Sequence, residues 1–172
     1  MDFWKRAQEL KDEITQNRRH IHQSAEVGLN LPNTKAFVME KLREYGLKPT
    51  ECGHGVTATL GKPGKTLLLR ADMDALKVKE KTDLPFRSEN GSMHACGHDM
   101  HAAMLLGAAR LLKAHQSELK GTVKLVFQPD EEGFVSVDTL KAALRPDTIL
   151  VSVMMVNNET GAVMPIADMI RA

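Results

Sequence analysis

Aromatic side chains are scarce in this chain: one Trp, one Tyr and five Phe make up 4% of its 172 residues. Cysteine is scarcer, limited to Cys52 and Cys96. Two thiols cannot build the disulfide framework of a small secreted domain, so a reducing, cytoplasmic compartment is the expectation. Charge of one sign is also missing. Lys and Arg number 23 against 22 Asp and Glu, a net charge of +1. That balance excludes the basic footprint of a nucleic-acid binder and the polybasic patch that seeks anionic membranes. No apolar run approaches the roughly 20 residues of a membrane span. The opening MDFWKRAQELKDEITQNRRH is amphipathic and charged, without the apolar segment of a signal peptide. What remains is an ordinary globular composition, 42% hydrophobic and 26% charged, enough for one domain with its own core.

Periodicity alternates between helix and strand. Trp4, Ala7, Leu10 and Ile14 recur at helical spacing and predict a helix over Trp4 to Arg19. A second helix is expected over Thr34 to Tyr45, stopped by Gly46. Val56 to Leu60 and Thr66 to Arg70 read as strand, turn, strand about Gly61-Lys-Pro-Gly64, and a loop follows from Asp72 to His94. A third helix runs from Asp99 to about His115, with Met100, Ala103, Met104, Gly107 and Leu111 on one face. Thr122 to Gln128 reads as a buried strand, Ser136 to Leu144 as a short helix and Thr148 to Met154 as another apolar strand. A last helix begins near Pro165. The alternation argues for an α/β fold, a mixed sheet flanked by helices.

Chemistry concentrates in MHACGHDMH, Met93 to His101. A thiol and an imidazole two residues apart, Cys96 and His98, can reach one metal from a single loop, with Gly97 letting the backbone bend. Asp99 can orient a ligand imidazole from behind. The plainer alternative is a helix N-terminus capped by Asp99 with solvated histidines. Two acidic clusters stand beside it. Asp72 and Asp74, at i and i+2 after the strand LLLR, point to one side of the chain, at a strand end where α/β sheets bind ligands. PDEEG, Pro129 to Gly133, ends the strand TVKLVFQ. Its adjacent glutamates point in different directions and can divide metal binding from proton handling. Alone, the Asp72–Asp74 pair reads equally well as a solvated turn, and a DEE triplet is usually one.

The segments RRHIHQSAEVGL, LLLRADMDAL, MHACGHDMHAAMLLGAARLL and VFQPDEEG, in this order, resemble the zinc-type aminoacylase and carboxypeptidase superfamily in its amidohydrolase branch. The resemblance covers residue 1 to about 133. It implies a zinc-exopeptidase-like catalytic domain and a two-metal site for zinc, or manganese or cobalt in some members. It also implies cleavage of a small N-acyl amino acid at its amide bond. Carried over by position, Cys96, His98 and Glu132 are metal ligands, and Glu131 is the general acid/base with Asp74 beside it. Asp72, Asp99 and His101 support them, and His22 and Glu26 match the early RRxxHxxxE segment. Ala25 and Lys77 stand where the family places prolines. The later histidine ligands and a dimerising lid have no counterpart, since no histidine follows His115. A truncated domain with impaired activity is therefore expected, and oligomeric state is open.

Beyond Phe134 the sequence GFVSVDTLKAALRPDTILVSVMMVNNETGAVMPI resembles cysteine desulfurases, in which the position of Asn158 contacts a pyridoxal phosphate ring. The Schiff-base lysine, ring aspartate and persulfide cysteine of that family have no counterpart here, so no pyridoxal phosphate is expected. The two resemblances meet at Pro129 to Phe134. This predicts a chimera of residues 1–133 and 134–172, its tail completing the domain or appended to it, with TILVSVM as a candidate edge strand. A divergent amidohydrolase with a chance match, an inactive fusion remnant and a desulfurase fragment are the alternatives. Cys52 and His54 in ECGHG read as a glycine turn away from the ligands, and His115 reads as a solvent-facing residue at a helix end.

Overall fold

A computed structural model describes residues 2–131, 133, 135–146, 148, 150–159 and 161–171. The chain divides into two units, Met1–Glu131 and Glu132–Ala172. In the first, α1 (Phe3–Glu9) and α2 (Lys11–Gln23) replace the single helix expected over Trp4 to Arg19. The break falls at Leu10, whose φ of −89° and ψ of 0° lie in the bridge region. Trp4 remains 75% exposed, while Asn17, Ile21 and His22 are buried. Of these two helices, α2 is therefore the one in the core. α3 (Pro32–Glu44) starts on a proline and ends before Gly46, whose φ of +78° suits a residue without a side chain. Its first turn is capped from a distance. Glu26 Oε1 accepts from Asn33 N and Nδ2 at 3.1 and 2.9 Å, and Oε2 accepts from Thr34 N at 2.9 Å.

Four strands form one sheet in the order β1 (Thr50–Cys52), β2 (Gly55–Gly61), β4 (Thr122–Gln128), β3 (Thr66–Asp72). β1 and β2 pair antiparallel around Gly53–His54, β2 is antiparallel to β4, and β4 is parallel to β3. The expected strand, turn, strand over Val56 to Arg70 is present as β2 and β3, which are not paired with each other because β4 lies between them. β4 alternates in burial, with Val123, Leu125 and Phe127 turned into the core. A strand whose whole inner face is apolar is best satisfied between two partners. The parallel β3–β4 pair needs a crossover, which α4 (His98–Ala114) supplies.

The buried face of α4 is only partly the one named from sequence. Ala103 and Gly107 are buried, together with Ala102, Leu105, Leu106 and Ala109, but Met100 and Met104 are 48% and 57% exposed. Small residues win that face because α2 comes close. A Cβ on Gly107 would fall 2.7 Å from Ile14 Cδ1. Ile21, Val38, Leu42, Val56, Leu106, Leu125 and Phe127 form one continuous core between helices and sheet. Each such side chain contributes about 1.5–3 kcal/mol by leaving water.

The second unit holds α5 (Val137–Ala143) and α6 (Ile166–Ile170). Ser136 Oγ caps α5 by accepting from Thr139 N at 3.1 Å. Among the described residues no strand forms over 148–154. Among the described residues, the β-pairing of this unit is one bridge between Val156 and Val163, and Leu150 is 81% exposed. The expected apolar strand, and with it an edge strand from TILVSVM, is thereby removed. β-branched residues favour extended backbone but need a partner strand's hydrogen bonds to become a ladder. Among the described residues, no helix is long and apolar enough to cross a membrane.

Candidate metal centre

Gly97 opens α4 with φ 88° and ψ 19°, a left-handed backbone that a residue bearing Cβ adopts at a cost. The turn it makes drives His98 inward to 5% exposure. His98 Nδ1 lies 3.0 Å from the Asp74 carbonyl oxygen and 3.4 Å from Asp74 Oδ1. These two acceptors assign a proton to Nδ1 and leave Nε2 on the other side of the ring, 3.8 Å from Glu131 Oε2. The Asp74 hydrogen bond outweighs burial and pushes the His98 pKa up to about 9. Burial raises the Asp74 carboxyl pKa, but the His98 bond and the Glu131 backbone N–H outweigh it and hold the group below the ordinary carboxylate range. A metal at Nε2 would take the place of a proton there.

Asp72 and His101 sit next to this pair. Asp72 Oδ1 meets Arg70 Nη2 at 2.5 Å, and its Oδ2 lies 3.3 Å from His101 Nδ1. The rings of His98 and His101 stack with centroids 5.5 Å apart. Among the described residues, Asp72, His98 and His101 form the group whose three ligand atoms all lie within 4.8 Å of one another. Cys96 is half-buried and is not part of that group. Glu132, expected as a ligand, lies outside the described residues. The donor set at this end of α4, a thiol, imidazoles and carboxylates, has the chemistry that holds zinc and its neighbours in the first transition series.

Asp99 does not orient His98, and Asp74 holds that place. Nor is Asp99 the helix cap, a position taken by Gly97. Fully buried, Asp99 Oδ2 accepts from Arg18 Nε at 2.8 Å and contacts His22 Nδ1 at 2.8 Å. His22 Nε2 in turn reaches Glu80 Oε1 at 3.1 Å. This chain of charges ties α2, the 73–97 loop and the first turn of α4 together. Arg18 and Glu80 escaped the sequence reading because their neighbours in the chain are ordinary. His94 also escaped it, although it opens the HACGH motif. It is 4% exposed, neither ring nitrogen finds a hydrogen-bond partner among the described residues, and burial pushes its pKa down to about 4.

The remaining residues fall into place around the centre. Asp130 has a φ of 58°, a left-handed conformation that aspartate tolerates better than most side chains. Burial, then the nearby Asp74 charge, raises its pKa. Cys52 is exposed in the β1–β2 hairpin. His115 is not solvent-facing: its side chain is 12% exposed, bonds Glu118 Oε1 at 2.7 Å and meets the Phe3 ring edge-on. Asn158 is exposed and donates to Glu159, whereas the buried amide is that of Asn157.

The family model for peptidase family M20/M25/M40 matches residues 68–165, more than half of the chain. The chain belongs to peptidase family M20/M25/M40. It therefore belongs to a family of metallo-hydrolases, and the amidohydrolase resemblance of its motifs falls within that family. The matched span continues past Phe134, where the motif resemblance ends. Thermostable carboxypeptidase 1 of Saccharolobus solfataricus is 50% identical over 131 residues, 72% of this chain and 33% of its own length. N-acetyl-L-cysteine deacetylase of Bacillus subtilis is 47% identical over 128 residues, 72% of this chain and 31% of its own. The solved structure of the Bacillus subtilis YXEP protein, described as a dinuclear metal-binding peptidase, matches with a TM-score of 0.69 and 37% identity, covering 73% of this chain and 37% of that one. The chain thus spans about a third of the length of the curated relatives it matches.

Proposed function

We propose that this chain carries part of the active site of a metal-dependent amide hydrolase, and that its substrates are small N-acyl amino acids. The family supports hydrolysis of an amide or peptide bond. One observation in this chain carries the reading: His98 is pinned at Nδ1 by Asp74 while Nε2 faces the carboxylate of Glu131. In this reading Cys96, His98 and Glu132 hold one divalent ion, zinc before manganese or cobalt, with a coordination position left for solvent or substrate. The ion, when bound, supplies polarisation of the scissile carbonyl and a lowered pKa for water. Glu131 would accept a proton from the attacking water and return it to the leaving amine. Asp74 fixes the tautomer and tilt of His98, and Asp72, Asp99 and His101 hold the surrounding backbone in place.

The tail belongs to the same proposal in a narrower form. Residues 1–133 are the N-terminal part of the catalytic domain, and 134–172 are a cysteine-desulfurase-like segment joined to it in a cytoplasmic protein. The NNETG motif and the division of the chain after Glu131 support this. Limited proteolysis of the whole chain is expected to leave a stable fragment ending near residue 133, and protection of that junction would count against the division. The functional test is metal content of the purified protein, with Cys96→Ser as control, followed by hydrolysis of a panel of N-acetyl amino acids. Near-stoichiometric zinc that falls in the variant, with turnover of any panel member, is the expected result. A folded, metal-free, inactive protein would replace this reading with that of a non-catalytic remnant.

A further inference from the structure

The sheet has two outer strands, and they are guarded differently. β1 is three residues long, and its charged Glu51 accepts from Lys35 Nζ at 2.8 Å. Short length and charge are common means of keeping an edge from pairing with another chain. β3 has seven residues, TLLLRAD, without proline or lysine, and no strand pairs with its outer side among the described residues. Its charged side chains are engaged within the chain, Arg70 with both Asp72 and Gln128. Leu67 and Leu68 are 58% and 55% exposed. We propose that β3 is the interaction surface for a second copy of this chain, joined edge to edge as an antiparallel pair about a two-fold axis at Leu68.

Backbone direction sets the register. Met73 N donates to Gln128 O and Thr122 N donates to Lys65 O, both at 2.9 Å, so the odd-numbered residues from 65 to 73 turn their backbone groups to β4. The alternate residues Thr66, Leu68 and Arg70 turn theirs to the open side. The hydrogen-bonded pairs of an antiparallel dimer must then join these residues to one another. Centred on Leu68, they set Leu68 opposite the partner's Leu68 and Thr66 opposite the partner's Arg70. Leu67 then faces the partner's Leu69. Every leucine meets a leucine, and no two like charges face each other. Moving the centre to Leu67 or to Leu69 sets Leu68 against Thr66 or Arg70 instead.

Packing favours the same arrangement. Leu69 shares an open depression of about 420 Å³ with Met104, Leu105 and Ala108 of α4. Residues opposite each other in a sheet lie on one face, so the partner's Leu67 enters on the side of this depression and takes apolar surface of both chains out of water. The pairing ends at Arg70. Asp72 stays outside it, and the surface is separate from the metal centre. The other edge of the sheet is the short β1, so association closes at two chains instead of growing into a fibre. This inference is independent of the hydrolase reading.

Sedimentation velocity of the full chain across a concentration series tests this, beside Leu68→Lys and, as a control on the exposed apolar tail, Leu150→Lys. A monomer–dimer equilibrium is expected. Leu68→Lys should weaken it roughly a hundredfold, because two ammonium groups then face each other and two leucines leave the contact. Leu150→Lys should leave it unchanged. Register is read separately by oxidative cross-linking in a Cys52→Ser/Cys96→Ser background. Leu68→Cys lies on the axis, with Cα atoms about 5.5 Å apart in a hydrogen-bonded pair, and is expected to form a linked dimer. Thr66→Cys, two residues off the axis in each chain, is expected to stay unlinked. Circular dichroism confirms that each variant is folded. A chain that is monomeric throughout the series, a dimer that survives Leu68→Lys or is lost equally in Leu150→Lys, or Thr66→Cys linking as readily as Leu68→Cys, would overturn the proposal.

Discussion

Residues 2–131 and the tail beyond them obey the same chemistry with different results. In the first unit, helices and strands bury a common face, and Val38, Leu42, Val56, Leu106, Leu125 and Phe127 reach 0% exposure. In the second, two short helices leave Leu150 and Ile170 each 81% exposed and Met155 66% exposed, while Met164 and Met169 are buried. Apolar content alone does not make a core. A run such as TILVSVM gains from burial only when another face is there to meet it, and ordering it costs entropy in any case.

The sharpest way to break this comparison is truncation in each unit. Phe127→Ala is expected to cost about 3–5 kcal/mol and to unfold much of the first unit, whereas Leu150→Ala should stay within about 0.5 kcal/mol. Chemical denaturation of both variants checks this, and equal losses would erase the distinction. Next in size is Asp74→Asn, which removes the charge that holds His98. Zinc affinity is expected to fall about 10–100-fold, read by competition with a chromogenic chelator. Gly107→Ala should follow, at about 1–3 kcal/mol, because the added methyl meets Ile14. Glu26→Ala, which uncaps α3, should cost about 1 kcal/mol in thermal melts.

The buried network at Glu80 gives a pH test. Burial opposes its ionisation, but Thr82 Oγ1, the Ser88 N–H and His22 more than compensate and lower its pKa. A carboxyl with a depressed folded pKa stabilises the fold above its unfolded pKa and loses that contribution as pH falls through the folded value. Glu80→Gln is therefore expected to lower Tm most at neutral pH, with the difference from wild type narrowing in acid. A pH-independent difference would mean that shape rather than charge matters at this position.

Much of this was legible from residues alone. The C-terminal end of α3 and the buried strand β4 followed from a glycine and β-branched residues, whereas α3 starts at Pro32, two residues before the Thr34 expected. The proximity of Asp72 and Asp74 to HACGHDMH followed from strand-end chemistry. Pairing was not legible, because β2 and β3 are separated by β4 and nothing local encodes a partner about 60 residues away. The inner face of α4 was legible in part: Ala103 and Gly107 lie on it as read, but Met100 and Met104 do not, because small residues rather than methionines admit α2. The role of Asp99 was misread for a related reason: Arg18 and His22, which claim it, approach from a distant helix.

His98 is the side chain on which the proposed metal centre turns, so it tests the central claim directly. Isothermal titration of Zn²⁺ into the folded chain and into His98→Ala is the most direct measurement. About one ion per wild-type chain, lost in the variant while its circular dichroism is retained, is the result expected. A folded His98→Ala that still binds a full equivalent with unchanged affinity would contradict it.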